Sequence, residues 1–249
     1  MQQKLKLELR SSDLHILAMI LMLCDHSWAM LFPAQEWLTC VGRIAFPIFA
    51  FLIAEGYVHT RDFRKYLLRM FAGALIAEIP FDLMYGETLV YPFHQNVLWT
   101  FLISLLLIRL IDECRSRFGK VISTVLTAGI VLLGYGIGSL GMVDYYGAGV
   151  VSVLVFYLFR GTDWKHRVLQ FAGLYILNVK LLGGFFYPLE IAGFEIPIVQ
   201  QGFALLALIP IWLYKGRQGI HNRGFQYACY AFYPVHMLLL FAVRAWLLR

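Results

Sequence analysis

Polar and ionisable residues recur at one depth within the first apolar segments of the sequence. On insertion scales a charged side chain in hydrocarbon costs roughly 2.5–3.5 kcal/mol, so such residues need a structural or chemical reason. The set comprises an adjacent Asp-His pair, one arginine, two carboxylates spaced i, i+4 and two amides. These residues are Asp25, His26, Arg43, Glu78, Asp82, Gln95 and Asn96. A neutral histidine in a polar cavity can act as a general base near neutral pH, which makes His26 the candidate base.

Two interpretations of this set stay open from the residues alone. In the first, Arg43 forms an ion pair with Asp25 or Asp82 that only fixes the packing of helices. In the second, the residues line a reactive cavity, because one ion pair does not account for a basic group, a histidine and three carboxylates. Neighbouring helical residues point about 100° apart, so Asp25 cannot face His26. A carboxylate of another helix, Glu78 or Asp82, is expected to orient the histidine.

A second polar cluster follows the second apolar segment, on the opposite side of the membrane. Arg61, Lys65 and Arg69 are spaced i, i+4, i+8 and form one stripe if their helix begins early, with His59 and Arg64 close by. One interpretation is that these residues only anchor the topology of the chain. The other is that they clamp the phosphates of a nucleotide-like ligand.

The composition indicates that these residues belong to a membrane protein. Of 249 residues, 60% are hydrophobic and 14% are charged, and the mean hydropathy is +0.70. Soluble domains are about 25% charged, so an ordinary soluble enzyme is excluded. The sequence lacks Walker A, GxGxxG, GxSxG and HExxH motifs, and its four cysteines have no metal-ligand spacing. We predict an all-α polytopic membrane protein, one domain over residues 1–249, without a metal site.

Nine apolar segments are read as membrane-spanning helices. They are Leu14–Phe32, Trp37–Val58, Tyr66–Tyr85, Val97–Ile111, Val121–Leu140, Tyr145–Phe159, Val168–Leu182, Ile196–Tyr214 and Phe225–Leu248. The run Gly134-Tyr135-Gly136-Ile137-Gly138 lies inside the fifth segment and is interpreted as a site of close helix packing.

The loops between these segments alternate in charge, which predicts the orientation of the chain. Most of the 21 lysines and arginines lie in the N-terminal tail and in every second loop: Lys4, Lys6, Arg10, Arg61, Arg64, Lys65, Arg69, Arg115, Arg117, Lys120, Arg160, Lys165, Arg167, Lys215, Arg217 and Arg223. The intervening loops carry acidic residues instead. The positive-inside rule then places the N-terminus in the cytoplasm and the C-terminus outside. The net charge of +6 is ascribed to topology, and no nucleic-acid partner is expected.

Several of the polar residues belong to motifs that resemble the TraX family. The motifs are ILMLCDH at 20–26, GRIAFPIFAF at 42–51, EG at 55–56, HTR at 59–61, EIPFD at 78–82, QN at 95–96 and FYPVH at 232–236. The resemblance is strong in the first four segments and moderate in the last one. The spaced combination of Asp-His with Gly-Arg-x-Ala-Phe-Pro is its most specific part.

The resemblance implies an integral membrane acetyltransferase of the bacterial cytoplasmic membrane, related to the acyltransferase-3 and heparan-glucosaminide acetyltransferase group. Enzymes of that group take an acetyl group from cytoplasmic acetyl-CoA and pass it to an amine or hydroxyl on the other side. The acceptor expected here is the N-terminus of a pilin-like protein or a glycan. His26 matches the catalytic base of the group. Membrane lipids are the other expected partners.

The resemblance also suggests roles for the remaining polar residues. Arg43 or Asn96 is expected to stabilise the oxyanion, and Glu78 or Asp82 to orient His26 or bind the acceptor. The expected residues are His26, Asp25, Arg43, Glu78, Asp82 and Asn96 for catalysis, Arg61, Lys65, Arg69, His59 and Arg64 for acetyl-CoA, and Gln95, His94, His236 and Tyr233 for the acceptor.

Two other functions stay open. A proton-coupled transporter or permease could use the same buried charges as a relay, although no internal repeat of the kind found in many transporters is visible. A non-enzymatic membrane assembly factor would need the charges only to pack its helices.

Overall fold

A computed structural model describes residues 8–191, 194–220 and 222–248, and most of these residues are helical. The helices are α1 (Ser11–Met30), α2 (Trp37–Gly42), α3 (Ala45–His59), α4 (Phe63–Tyr85), α5 (Val97–Arg117), α6 (Lys120–Leu140), α7 (Tyr146–Leu158), α8 (Trp164–Tyr175), a π-helix (Ile176–Leu182), a 3₁₀ helix (Gln200–Ala207), α9 (Leu208–Leu213) and α10 (Arg223–Leu247). Two strands, β1 (Phe186–Ile191) and β2 (Phe194–Val199), pair antiparallel between the π-helix and the 3₁₀ helix.

Side-chain caps set where several helices begin. The carboxylate of Asp62 accepts a hydrogen bond from the Lys65 amide, and Asn96, Asp163 and Asn222 cap α5, α8 and α10 in the same way. Because the Asp62 cap starts α4 at Phe63, Arg61 lies outside the helix. The expected stripe of three basic residues is therefore wrong, and only its last two members lie on α4.

Within the described residues, three helices are long and apolar enough to cross a membrane: Trp37–His59, taken as one unit over α2 and α3, Lys120–Leu140 and Arg223–Leu247. Shorter apolar helices occupy Tyr146–Leu158 and Gln200–Leu213. These features characterise a helical membrane protein. The nine spans and the orientation of the termini stay predictions.

The β-hairpin corrects the expectation of a purely helical chain. The predicted eighth segment, Ile196–Tyr214, begins within β2 and becomes helical only at Gln200. Pro188 and Pro197 lie opposite each other in the hairpin, and a proline cannot donate the backbone hydrogen bond that a helix interior needs. Gly183 and Gly184 have positive φ angles and end the preceding π-helix, so the chain turns into the hairpin there.

Basic loops that are distant in sequence meet at one end of the helix bundle. The backbone amides of Leu9 and Ser11 donate to the carbonyls of Leu213 and Arg217, which ties the start of α1 to the loop after α9. At the same end the guanidinium of Arg160 donates to Glu55 at 2.5 Å. We call this the basic end and the opposite end the site end. Lys4 and Lys6 lie outside the described residues.

The helix α3 forms the centre of the bundle. It packs against α1, α5 and α7, and its residues from Ala45 to Ala54 are mostly buried. Ile48 and Ala50 have no exposed surface, and Phe46 stacks on Tyr145 with ring centroids 4.0 Å apart. The apolar core therefore holds α3 rigidly between α1 and α7, and the site end depends on this arrangement.

The predicted close packing of the glycine run is confirmed at two of its three glycines. A Cβ atom on Gly138 would lie 2.9 Å from the Cα atom of Gly147 on α7, and one on Gly134 would lie 2.6 Å from a methyl carbon of Leu107. A Cβ atom on Gly136 would meet nothing within 4 Å. The glycines at 134 and 138 therefore let α6 approach its neighbours.

This difference gives a matched pair of variants. Gly138→Ala forces backbone against backbone and is expected to destabilise the protein by about 1–3 kcal/mol, seen as a lower thermal unfolding midpoint in detergent. Gly136→Ala is expected to leave the midpoint unchanged or raise it, because alanine favours a helix by about 1 kcal/mol over glycine. Equal midpoints for the two variants would contradict the packing of α6 against α7.

Candidate active site

An ion pair between α1 and the junction of α2 with α3 organises the site end. Arg43 Nη2 lies 2.6 and 2.7 Å from the two carboxylate oxygens of Asp25, and the Thr39 hydroxyl donates to Asp25 at 2.8 Å. Gly42 permits this contact, because a Cβ atom there would lie 2.7 Å from Asp25 Oδ1. The first of the alternative pairs expected from the sequence, Arg43 with Asp25, is therefore the one that forms.

His26 faces away from this ion pair and contacts α10. Its Nδ1 atom lies 2.7 Å from Nε2 of His236, and Nδ1 of His236 lies 2.6 Å from the carbonyl oxygen of Phe232. The rings of His26 and His236 are nearly parallel, with centroids 4.8 Å apart. The group that orients His26 is thus a histidine of the last helix, whereas a carboxylate was expected.

Two loops close the site end above these side chains: residues 86–96 and residues 141–145, called here the rim loops. Their backbones are joined, because Gln95 donates to the Met142 carbonyl and accepts from the Asp144 amide, both at 2.9 Å. This pairing brings His94 Nε2 within 3.3 Å of Asp144 Oδ1. The second rim loop is strained, since Met142 and Tyr145 have positive φ angles.

A cavity of about 180 Å³ lies between the rim loops and the ion pair. The residues lining it include Asp25, His26, Arg43, Tyr85, His94 and Asp144. This volume exceeds the ~10–15 Å³ that one water needs by about an order of magnitude, so a small polar group fits.

A smaller void of about 30 Å³ lies on the other side of His26, toward the basic end. Met22, Phe46, Phe49, Phe101 and Tyr233 make most of its lining apolar, and Asp25, Asp144 and Tyr145 line it as well as the larger cavity. Met22 lies one helical turn before His26 on α1, so the void reaches deeper into the bundle than the cavity. His26 therefore lines both a polar cavity at the site end and a mostly apolar void that extends into the interior.

Three of the expected catalytic residues lie apart from this cavity. Asn96 is fully buried and caps α5, and its side-chain amide donates to the Ala74 carbonyl and to Glu78. Glu78 also accepts a hydrogen bond from the indole of Trp99, and Asp82 accepts one from the Tyr91 amide. Among the described residues, none of the side chains of Glu78, Asp82 and Asn96 lines either cavity or contacts His26.

The expected acceptor-binding residues fall into different places. His94 lines the cavity and Tyr233 the void, while Gln95 contributes its backbone to the pairing of the rim loops. His236 uses both ring nitrogens for hydrogen bonds, one to His26 and one within its own helix. Its geometry therefore suits the positioning of His26 better than contact with an acceptor.

The expected donor-binding residues are exposed at the basic end. Lys65 pairs with Asp62 at 3.2 Å, and Arg69 Nε donates to the Tyr230 hydroxyl at 3.3 Å. His59 lies beside Glu55, with its Nδ1 2.9 Å from the Glu55 carbonyl. Arg61 and Arg64 are exposed, and neither lines one of the two cavities.

Sequence reasoning missed Asp144, Tyr145 and Tyr85 as parts of the site. Asp144 lies in one of the loops that the sequence marks only as acidic, and no spacing pattern singles out the two tyrosines. Only the pairing of the rim loops, which joins positions about 50 residues apart, brings these side chains to His26. Across the described residues, no group of three or more His, Cys, Asp or Glu residues is arranged to hold a metal.

Comparison with known proteins places these features in a family context. The model of the TraX protein family matches residues 10–244. A probable fimbrial assembly protein FimC, serogroup H1, of Dichelobacter nodosus is 27% identical over 249 residues, covering 94% of this chain and 96% of the relative. No solved structure matches the chain significantly.

The contact between the rim loops makes stability depend on pH. Burial disfavours the charged ring of His94, but the hydrogen bond and charge of Asp144, together with the charge of Glu78, outweigh burial and raise the pKa of His94 above its ordinary value of 6.5. Because the pKa of His94 is higher in the folded state than in the unfolded state, its protonation stabilises the folded protein, and this stabilisation is fully present below pH 6.5. This stabilisation is lost as the pH rises through the pKa of folded His94.

We therefore expect Asp144→Asn to lower the thermal unfolding midpoint most below pH 6.5, and progressively less above the pKa of folded His94. Titration of the His94 ring by NMR in detergent should give a pKa above 6.5 in the wild type and a lower pKa in Asp144→Asn. A pH-independent difference in midpoint, or a wild-type pKa at or below 6.5, would contradict this coupling.

Proposed function

The chain belongs to the TraX family, and from this premise we propose that it is a multi-pass acetyltransferase of the bacterial cytoplasmic membrane. It takes the acetyl group of cytoplasmic acetyl-CoA and transfers it to an amine or hydroxyl on the outer side. The name of the Dichelobacter nodosus relative, a probable fimbrial assembly protein, supports a pilin-like acceptor over a glycan.

One observation carries the proposal: a buried histidine lines both a polar cavity and a mostly apolar void. His26 is 7% exposed and lines both spaces. An acyl group suits the apolar residues of the void, and an amine or hydroxyl suits the polar cavity, where Arg43 and His94 lie. A general base between donor and acceptor is what direct transfer requires.

In the proposed reaction the acceptor attacks the thioester carbonyl carbon while His26 removes the proton from the attacking nitrogen or oxygen. The bond between carbon and the acceptor forms, and the carbonyl oxygen becomes an oxyanion. When the oxyanion collapses, the carbon–sulfur bond breaks. The CoA thiolate then takes up the proton held by His26, which leaves the acetylated acceptor, free CoA and a neutral histidine.

Arg43 is the proposed oxyanion donor. Its Nη2 atom is engaged with Asp25, but its Nε atom is buried and has no hydrogen-bond partner in the described residues. An unpaired buried donor is costly unless a ligand or water satisfies it. Arg43 also lines the larger cavity, so its guanidinium is the positive side chain that a negative charge developing there would meet. Asn96 was the other oxyanion donor expected from the sequence, but its side chain caps α5 and donates to the Ala74 carbonyl.

The donor is proposed to enter from the basic end. Arg61, Lys65 and Arg69, with His59 and Arg64 beside them, supply positive charge for the phosphates of acetyl-CoA. His26 lies 15 residues beyond the start of α1, or roughly 22 Å from that end at 1.5 Å per residue. The acyl-bearing arm would therefore pass between helices along the apolar void to reach the base.

An assembly factor without catalytic activity is the second candidate. The name of the Dichelobacter nodosus relative favours an assembly factor, because that name states a role in assembly and no reaction. A proton-coupled permease, which would use the same charges as a proton relay, is a third candidate. Glu78 Oε1 and Asp82 Oδ1 are the atoms that such a relay would use, because both are buried and have no hydrogen-bond partner among the described residues. An assay of acetyl transfer separates the enzyme from both.

His26→Ala is expected to lower acetyl transfer by about 10²–10⁴-fold, the usual contribution of a general base, while CoA binding persists. The assay uses labelled acetyl-CoA with purified protein in lipid nanodiscs and a synthetic peptide that carries a free α-amino group. The N-formylated peptide shows the background. His15→Ala, a histidine of the same helix three turns away, should keep full activity. Normal turnover in His26→Ala would overturn the assignment of the base.

Replacing Arg61, Lys65 and Arg69 together with glutamine is expected to weaken CoA binding at least about tenfold, because hydrogen bonds to charged groups contribute about 1.5–3 kcal/mol each. Calorimetric titration of CoA into the protein in nanodiscs measures this change. Arg117→Gln combined with Lys120→Gln removes charge from another exposed basic loop and should leave the affinity unchanged. An unaltered affinity in the triple variant would leave these residues as topology signals only.

A further inference from the structure

We propose that His236 is a positioning residue that fixes the protonation of the His26 ring, so that Nδ1 carries the hydrogen and Nε2 carries the lone pair of the base. This inference rests on the proposed function for its consequence in catalysis. The arrangement of protons itself follows from three groups that lie in one chain: Phe232, His236 and His26.

The carbonyl at one end of the chain determines the position of every hydrogen. The Phe232 oxygen can only accept, so Nδ1 of His236, at 2.6 Å, must carry a hydrogen. A neutral imidazole has one hydrogen, which leaves Nε2 of His236 as an acceptor. The hydrogen in the 2.7 Å contact therefore belongs to Nδ1 of His26, and Nε2 of His26 is left free to accept a proton.

Packing holds the middle histidine in this orientation. His236 is 5% exposed, and its ring stacks on Phe232 with centroids 4.6 Å apart and on His26 with centroids 4.8 Å apart. A flip of the His236 ring would break both hydrogen bonds. The tautomer of His26 is thus set by a ring that cannot turn without losing its hydrogen bonds to His26 and Phe232.

The charges around the two rings favour the neutral form of the pair. The groups that face them are Asp25 and Arg43 across the ion pair, Tyr85 of α4, Asp144 of the second rim loop and Tyr233 of α10. Arg43 already neutralises Asp25 and Asp144 is paired with His94, so an additional positive charge on either buried histidine has no counterion of its own. A neutral pair has one hydrogen between the two rings.

The free nitrogen of His26 points toward the reaction space. Nδ1 is turned to α10, and Nε2 lies on the opposite edge of the ring, away from α10. Among the described residues, the larger cavity is lined by α1, Arg43, Tyr85 of α4 and the rim loops, with no residue of α10, whereas α10 reaches the smaller void through Tyr233. With the other tautomer, Nε2 would carry a hydrogen and could not take the proton of an acceptor, so the site would be folded but inactive.

The test compares His236→Gln with His236→Leu. The side-chain oxygen of glutamine can still accept the hydrogen of His26 Nδ1, whereas leucine removes the acceptor. Met237→Leu is the matched control, because Met237 is the next residue on α10, is fully buried and changes little in volume. Labelled acetyl-CoA and the free-amine peptide again serve as probes. Nitrogen-15 NMR of the His26 ring reads its tautomer without any turnover.

We expect His236→Leu to lower kcat by about 10–100-fold, with the KM for acetyl-CoA changed less than about twofold. His236→Gln should regain most of this loss, and Met237→Leu should behave as wild type. The NMR spectrum should show a protonated Nδ1 and a bare Nε2 on His26 in wild type, and a mixture of tautomers in His236→Leu.

The inference is overturned if wild-type His26 is protonated at Nε2, or if folded His236→Leu keeps wild-type kcat. It is also overturned if His236→Gln, folded and with the wild-type unfolding midpoint, is as inactive as His236→Leu. Absence of acetyl transfer in the wild type would overturn the proposed function alone, because the tautomer of His26 is measured in the same sample without substrate.

Discussion

The ion pair between Asp25 and Arg43 is the constraint on which the site end depends. Asp25 is buried and Arg43 is partly buried, so removing Arg43 leaves a buried carboxylate without its counterion, which in a fully buried pair costs about 3–5 kcal/mol. Two oxygens, the Thr39 hydroxyl and the close approach at Gly42 fix the pair in one geometry. The contact locks α1 onto the junction of α2 and α3 and thereby sets the rotation of α1 about its own axis.

That rotation determines what the next residue can do. Neighbouring residues on a helix point about 100° apart, so once Asp25 faces Arg43, His26 must face elsewhere. It faces α10, where His236 accepts its hydrogen bond. One helix thus presents two adjacent polar residues to two different partners: Asp25 anchors α1, and His26 is the residue proposed to act as the base. The rim loops complete the surroundings of His26 through the backbone pairing at Gln95.

The local features of this arrangement were predictable from the sequence, and the tertiary ones were not. Spacing and composition were enough to predict a helical membrane protein and the close packing at Gly138, and they limited the ion-pair partner of Arg43 to Asp25 or Asp82. Periodicity did not reveal that His236, in the last segment, meets His26 in the first, because that contact depends on the relative placement of α1 and α10. Hydrophobic periodicity also assigned part of residues 186–199 to a helix, although Pro188 and Pro197 disfavour a helix there and the segment forms a hairpin.

The separation of 210 positions between His26 and His236 has a consequence for biosynthesis. Helices of a membrane protein enter the bilayer in the order in which the ribosome makes them. His26 therefore stands without His236 through the translation of nearly the whole chain and meets it only when α10 docks. In the proposed enzyme, a nascent chain whose last helix has not docked holds an immature site, so catalytic competence marks the completion of assembly.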